Sequence, residues 1–282
     1  MSYQGTAALI TGASSGLGEE FARQWAERGA DVVLVARRQG RLETLAAELE
    51  SRYSVSATPM AVDLAEPGAA TALREELAAR GRSVQTLINN AGFGSHGAFA
   101  EQDPEQIARM VRLNVGAVAE LSRAFLPQLA ADGRGALVNV ASTAAYQPTP
   151  AMALYGATKA FVLSLTEALA HENRDRALRV LAVSPGPVAT EFFDVVGSRK
   201  AVVGRMATAA DVVAATRGAL AGRRTPASVI AGFGNRVSAT AARLAPPAPR
   251  RPGRGRPGPG GVSGPVAARA MTGSGPSANR RP

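Results

Sequence analysis

The sequence predicts a doubly wound α/β fold, a mostly parallel sheet of about seven strands with helices on both faces. Three observations carry that expectation. Short apolar runs alternate with amphipathic stretches from residue 6 to about residue 231. The first apolar run leads into a glycine-rich turn, Gly12-Ala13-Ser14-Ser15-Gly16-Leu17-Gly18, which itself opens a helical stretch. Several polar or glycine-rich residues follow strand ends, among them Asn90, Ser142 and Pro185-Gly186, and that edge is where such sheets bind ligands.

Taken in order, residues 6–10 read as a first strand and 19–28 as a helix with Phe21, Ala22, Trp25 and Ala26 on one side. Gly29 ends that helix and residues 31–36 form the second strand. Strand, glycine turn, helix and strand make a βαβ unit of the size expected for dinucleotide binding. The glycines permit close backbone approach, and the helix start offers N–H groups to a pyrophosphate. The spacing is GxxxGxG rather than GxGxxG. Arg37 and Arg38 follow the second strand. Forked guanidinium donors suit a ribose 2′-phosphate, where a carboxylate would suit a 2′-hydroxyl; two solvated arginines opening the next helix are the plainer alternative.

A helix over 41–52 and a strand over 56–62 lead to Asp63 and Leu64. Asp63 either caps the helix beginning near Pro67 or contacts a bound base. Residues 68–80 form that helix, and the strand 84–88 runs into Asn89-Asn90-Ala91-Gly92. The two amides can tie strand ends together, while Ala91 and Gly92 leave room for a flat ligand. Residues 102–131 read as one long helix, started by Asp103-Pro104, with Asn114 inside it as a satisfied surface or helix–helix amide. A strand at 135–141 ends at Ser142, and a helix at 154–172 carries Tyr155 and Lys159. The sixth strand, 178–183, precedes Pro185-Gly186-Pro187-Val188 and Thr190. A loop or short helices over 191–207, a final helix at 209–221 and a seventh strand at 227–231 complete the body.

Composition narrows the function. No apolar run approaches the ~18 residues of a membrane span. No charged stretch followed by an apolar one opens the chain, so no signal peptide is expected. The absence of cysteine excludes disulfides, thiolate catalysis and cysteine metal sites, and fits a reducing cytoplasm. His96 and His171 are the only histidines and lie far apart in sequence, so no metal is expected. The formal charge of +10 belongs to one end: residues 243–282 hold eight arginines and no acid, leaving 24 basic and 22 acidic residues in 1–242. Those last residues are rich in proline and glycine, cannot bury enough to offset ordering entropy, and are expected to be a disordered tail on a single domain at 1–242. The tail has no aromatics to stack on bases, so nucleic-acid or membrane contact through it is not the favoured reading.

Tyr155 and Lys159, four apart, share a helix face. A free tyrosine titrates near ~10 and shuttles protons poorly at neutral pH; a nearby ammonium favours the phenolate. Lys159 and Lys200 are the only lysines beside thirty arginines, which counts modestly against a random surface lysine at 159; an amphipathic tyrosine and a solvated helix charge are the plainer alternative. Together with TGASSGLG at 11–18, NNAG at 89–92, Asn114, Ser142 and PGPVAT at 185–190, YGATK at 155–159 resembles the short-chain dehydrogenase/reductase family over residues 6 to about 232. The ARR after the second strand and the SPGPVATEFF run look most like its bacterial NADP-preferring branch.

The resemblance implies a Rossmann-like sheet and an oxidoreductase that moves a hydride between NADP(H), preferred over NAD(H), and a carbonyl or secondary-alcohol substrate. It implies that Tyr155 is the general acid or base, that Lys159 binds the nicotinamide ribose and lowers the tyrosine pKa, that Ser142 donates to the substrate oxygen, and that Asn114 holds a relay water. Gly12, Ser14, Ser15, Gly16, Leu17 and Gly18 would line the phosphate turn, and Arg37 and Arg38 meet the 2′-phosphate. Asp63 and Leu64 would flank adenine, Asn90, Ala91 and Gly92 its ribose, and Pro185, Gly186, Val188 and Thr190 the carboxamide. By position, Phe93, His96, Ala144, Met152, Phe192 and Phe193 are pocket candidates and suggest an apolar substrate. A homodimer or homotetramer through helices at 103–131 and 150–173 is implied as well. Two departures stand out: Gln85-Thr86-Leu87-Ile88 replaces the usual Asp-Xaa-Leu-Val, and Pro/Gly/Arg sequence replaces an apolar C-terminal part. The rival reading is a non-catalytic NADP-sensing protein of the same fold. Such a protein would tolerate loss of Tyr155 or Lys159, and both are present.

Overall fold

The computed structural model describes residues 3–192 and 206–244; Phe193, most of the expected 191–207 loop and the tail beyond 244 lie outside the described residues. Seven strands, β1 (Ala7–Thr11), β2 (Asp31–Ala36), β3 (Ala57–Ala61), β4 (Thr86–Asn89), β5 (Ala136–Val140), β6 (Arg179–Ser184) and β7 (Ser228–Ile230), form one sheet in the order 3-2-1-4-5-6-7. Every neighbouring pair is parallel. Parallel pairing requires a crossover between strands, and the helices supply it on both faces.

One face is covered by α1 (Gly16–Ala26), α2 (Gln39–Tyr53) and α7 (Ala209–Ala221). The other is covered by α3 (Ala69–Ala79), α5 (Val118–Ala131) and α6 (Ala153–Glu172). The two-residue period of a strand explains how both cores are fed. Ile10 and Leu34 point into the first, with Phe21, Trp25 and Leu42; Leu9 and Val33 point into the second, with Leu73, Leu77 and Phe125. Each fully buried side chain of this size stabilises the fold by ~1.5–3 kcal/mol relative to exposure.

The strand order reverses between β1 and β4, and a crevice opens there at the C-terminal ends. Thr11 and the asparagines fasten its walls. Thr11 Oγ1 accepts from the backbone N–H groups of Asn90 and Ala91, both at 2.9 Å, and Asn90 Nδ2 donates to the Thr11 carbonyl at 2.9 Å. Asn89 Nδ2 donates to Asn139 Oδ1 of β5 at 2.9 Å, and Asn139 Nδ2 to Thr166 Oγ1 of α6 at 2.9 Å.

Two expectations are corrected. The long helix over 102–131 is interrupted: α4 (Pro104–Val111), capped by Asp103, passes through a π-helical turn, Arg112–Ala117, before α5 begins. The wider turn accommodates an extra residue, and Asn114 within it is fully buried and donates to Thr158 of α6, the helix–helix alternative. Asp63 does not cap α3, whose N-cap is Gly68 without a side-chain bond; it accepts from the Ala65 N–H at 3.0 Å and pairs with Arg109 of α4. A further helix, α8 (Phe233–Leu244), follows Gly232. Among the described residues, no helix is long and apolar enough to cross a membrane.

Candidate active site

Helix α6 enters along the crevice from an unusual start. Ala151, just before it, holds φ at 64°, a left-handed conformation that costs a residue with a Cβ. The helix then presents Tyr155 and Lys159 on one face. Lys159 is 5% exposed, and its Nζ donates to the Val140 carbonyl at the end of β5 at 2.7 Å and lies 5.9 Å from the centre of the Tyr155 ring. Ser142, two residues past β5, accepts from the Ala144 N–H at 3.1 Å and lies close enough to the Tyr155 phenol to lower its pKa. On its other side Tyr155 meets Phe192, ring centres 5.3 Å apart, and the close passage of Gly94, where a Cβ would lie 3.1 Å from Tyr155 Cδ2. Asn114, Ser142, Tyr155 and Lys159, drawn from three separate parts of the chain, are brought together.

Asn114 acts on the loop after β4. Its Oδ1 accepts from the Phe93 N–H at 3.1 Å, and its Nδ2 donates to the Phe93 carbonyl at 2.8 Å and to Thr158 Oγ1 at 3.2 Å. A Cβ built on Gly92 would lie 3.0 Å from Asn114 Oδ1 and 3.6 Å from Lys159 Nζ, so both groups border the same narrow space.

The electrostatics differ from the sequence expectation in one respect. Burial pushes the Tyr155 phenol up to about 12, with Ser142 acting the other way, so the lysine does not bring it down in this state. Burial also brings Lys159 down to about 8. Desolvation disfavours the charged form of each group and is the largest cause of both shifts.

Beside this pair lies a cavity of about 450 Å³. The glycine turn (Gly12, Ser14, Ser15, Gly16, Leu17), the end of β2 (Arg37, Arg38), the end of β3 (Asp63, Leu64), the end of β4 (Asn90, Ala91, Gly92) and the segment after β6 (Pro185, Gly186, Val188, Thr190) all line it. Gly18 lines nothing: a Cβ there would collide with the Gly12 carbonyl, so it lets α1 pack against its own turn. The cradle fits a dinucleotide. Gly12 is at φ 68°, and a Cβ on it would sit 2.8 Å from Asn90 Nδ2, filling the turn; the N-cap of α1, Ser15, has no side-chain cap, so the helix start presents N–H groups. Arg38 closes over that turn, its Nη2 donating to Ser15 Oγ at 2.9 Å and its Nε to Ser14 Oγ at 3.1 Å. Arg37 is exposed at the same rim.

Of the pocket candidates, Phe93, Ala144, Met152 and Phe192 line the cavity; His96 is exposed on its loop and does not. Thr11, Arg109 and Glu191 were not singled out from the sequence. Thr11 sits inside the glycine motif, a signal that was available; Arg109 and Glu191 act through partners far along the chain, and no local pattern marks them. Among the described residues, no group of three or more histidines and carboxylates could hold a metal.

Comparison with known proteins agrees with this geometry. Residues 6–201 match the family model for short chain dehydrogenases. The chain is 37% identical over 190 residues to sulfoacetaldehyde reductase 2 of Chromohalobacter salexigens, covering 65% of this chain and 73% of that protein. With other curated relatives the match spans under two thirds of the relative's length, 62% and 59% in two cases. Two solved structures are similar: a short-chain dehydrogenase from Sphingobium yanoikuyae in complex with NADPH (34% identity, TM-score 0.76, 85% of this chain and 93% of that one) and one from Burkholderia phymatum in complex with NAD (28%, 0.76, 85% and 93%). With its seven-stranded parallel sheet, its glycine cradle and its Ser142–Tyr155–Lys159 cluster, the chain belongs to the short-chain dehydrogenase/reductase family.

Proposed function

We propose that this protein is an NADP(H)-dependent oxidoreductase acting on a carbonyl/secondary-alcohol pair, with Tyr155 as general acid in reduction and general base in oxidation. The observation that carries the reading is the Tyr155 phenol, beside Ser142 and one helical turn from buried Lys159, at the wall of a cavity that begins at the glycine turn. When bound, the nicotinamide supplies or accepts the hydride at the substrate carbon. Ser142 orients the substrate oxygen, and Tyr155 holds the proton that oxygen takes up or gives back. Lys159 steadies the ribose and restores the tyrosine's proton, with Asn114 assigned to the relay behind it. A hydroxyl and a phenol suffice for this chemistry.

Preference for NADP(H) is supported by Arg37 and Arg38 at the rim where the adenosine ribose belongs. An apolar ketone or alcohol is supported by Phe93, Ala144, Met152 and Phe192. Association into a homodimer or homotetramer is supported by exposed Phe99, Val111 and Phe161 on and beside α4 and α6. The lack of cysteine favours the cytoplasm. We assign catalysis to residues 1–242 and none to the arginine-rich end.

The test is a panel of ketones, aldehydes and secondary alcohols assayed with both cofactors. NADPH-dependent turnover of at least one apolar carbonyl is expected, and replacing Arg37 and Arg38 by alanine should weaken NADPH far more than NADH. Binding of NADPH without turnover of any carbonyl would favour the sensing protein instead, and equal losses for the two cofactors would reject the 2′-phosphate assignment.

A further inference from the structure

Glu191 stands between two contacts that the active site uses. Its neighbour Thr190 packs against Gly16 of the glycine turn, with 3.0 Å between Thr190 Cβ and a Cβ built on the glycine. Its other neighbour, Phe192, packs against Tyr155. The Glu191 carboxylate itself reaches across the rim to the arginines that follow β2. Oε1 and Oε2 accept from Arg41 Nη1 at 2.8 and 3.0 Å, and Oε2 accepts from Arg38 Nη1 at 3.2 Å.

Arg38 spends the rest of its fork on the glycine turn. Its Nε donates to Ser14 Oγ at 3.1 Å, and its Nη2 to Ser14 Oγ at 3.0 Å, Ser15 Oγ at 2.9 Å and the Ser14 carbonyl at 3.3 Å. Each of its three nitrogens therefore already has an acceptor within the chain. Only one of those acceptors is charged, and that is Glu191. A phosphate seeking the same guanidinium must exchange with neutral serine oxygens or with the carboxylate. Exchange with the carboxylate replaces one anion by another on the same donors. If Glu191 stayed in place, two anions would lie side by side, which is unfavourable. The serine contacts, by contrast, cost nothing electrostatically to retain.

We infer that Glu191 sets the strength of this protein's preference for a 2′-phosphorylated cofactor, by occupying the guanidinium groups of Arg38 and Arg41 and yielding them when the phosphate binds. The inference rests on the reading of Arg37 and Arg38 as the 2′-phosphate site. The pairing is felt by the carboxyl, which Arg41 and then Arg38 hold below the usual carboxylate range. It is also exposed on both sides, with 43% and 46% of the Arg38 and Glu191 side chains accessible. Exposed ion pairs are weak, so Glu191 tunes the site and does not close it. Selectivity for the phosphate is accordingly smaller than three neighbouring arginines would give unopposed.

The experiment measures binding of 2′,5′-ADP and 5′-AMP to the full chain by calorimetry; the two ligands differ only in the 2′-phosphate. Glu191→Gln keeps the shape and removes the charge. It should tighten 2′,5′-ADP about three- to tenfold and leave 5′-AMP within about twofold, the range that two exposed pairs can contribute. In an Arg38→Ala, Arg41→Ala background the same change should have no effect, because the pairs it relieves are gone. If Glu191→Gln weakens 2′,5′-ADP or leaves it unchanged while the wild type still prefers it to 5′-AMP, the role given to Glu191 is wrong and the phosphate site stands. If the wild type binds 2′,5′-ADP no more tightly than 5′-AMP, the phosphate site itself is wrong and the inference falls with it.

Discussion

Lys159 places an amine at 5% exposure with a backbone carbonyl as its hydrogen-bond acceptor, and burial brings its pKa from 10.5 to about 8. The sign of the resulting pH dependence follows. Above 10.5 the amine is neutral folded and unfolded, and below 8 it is charged in both. Between them only the unfolded chain takes up the proton, so stability falls as pH drops from 10.5 to 8 and is flat below. Lys159→Met removes this dependence. From pH 7.5 to 9.5 the wild type should gain stability on the variant, by at most ~3 kcal/mol at the end of the window, read by urea unfolding at each pH. A constant difference would mean that the amine is solvated. Above pH 10 the raised phenol of Tyr155 acts in the opposite direction, since its stability contribution is lost as pH rises towards about 12, so the window stops short of it. At this scale the sequence points to which groups share a face, and not to how far the fold desolvates them. Spacing places Tyr155 and Lys159 on one face, but the sign of a pKa shift depends on how much water the fold removes. Glu191 was illegible for a related reason: its partners lie 150 and 153 residues earlier in the chain.

The elements that carry the site are less regular than their sequence suggests. Helix α6 begins after Ala151 at φ 64°, where glycine avoids the penalty that a Cβ incurs. Ala151→Gly should stabilise the protein by ~1 kcal/mol, measured as a higher denaturant midpoint at unchanged slope. A loss of stability would show that the conformation is not strained. The π-helical turn around Asn114 is the second irregularity. Asn114→Ala deletes three hydrogen bonds, two of them to the Phe93 backbone, and leaves buried partners unsatisfied. A cost of ~1–3 kcal/mol and a fall in kcat with little change in cofactor affinity are expected; unaltered turnover would remove Asn114 from the site. Apolar periodicity across 102–131 reads through such a turn, because one extra residue shifts the pattern without breaking it. Strand β2 and helix α7, by contrast, fall where their composition placed them, at Asp31–Ala36 and Ala209–Ala221. Helix α8 was not expected from the sequence; Gly232 lies just before it and Gly234 in its first turn, which weakens its local signal. It nevertheless supports the site, since a Cβ on Gly186 would run into Asn235 of that helix.

Over the whole molecule, the reversal of strand order between β1 and β4 decides where everything else meets. It brings the glycine turn of residue 12, the asparagine of residue 90 and the tyrosine of residue 155 to one crevice, and alternation of strands with helices made that much legible from the sequence. The formal +10 charge is concentrated in residues 243–282, which the proposed chemistry does not use. A chain ending at Ala245 should keep the wild-type Tm within a few degrees and bind NADPH equally well; loss of either would give the end of the chain a part in the fold or the site.

Everything proposed here turns on a proton that Tyr155 gives and takes while its neighbours hold cofactor and substrate in place. The most direct measurement compares wild type and Tyr155→Phe in single-turnover consumption of NADPH with an accepted ketone, alongside the Kd for NADPH. The account predicts a fall of about 10³-fold or more in the rate with Kd within about threefold, since the phenol oxygen is lost and the ring and its contacts with Phe192 and Gly94 remain. A variant that turns over at near wild-type rate would contradict it.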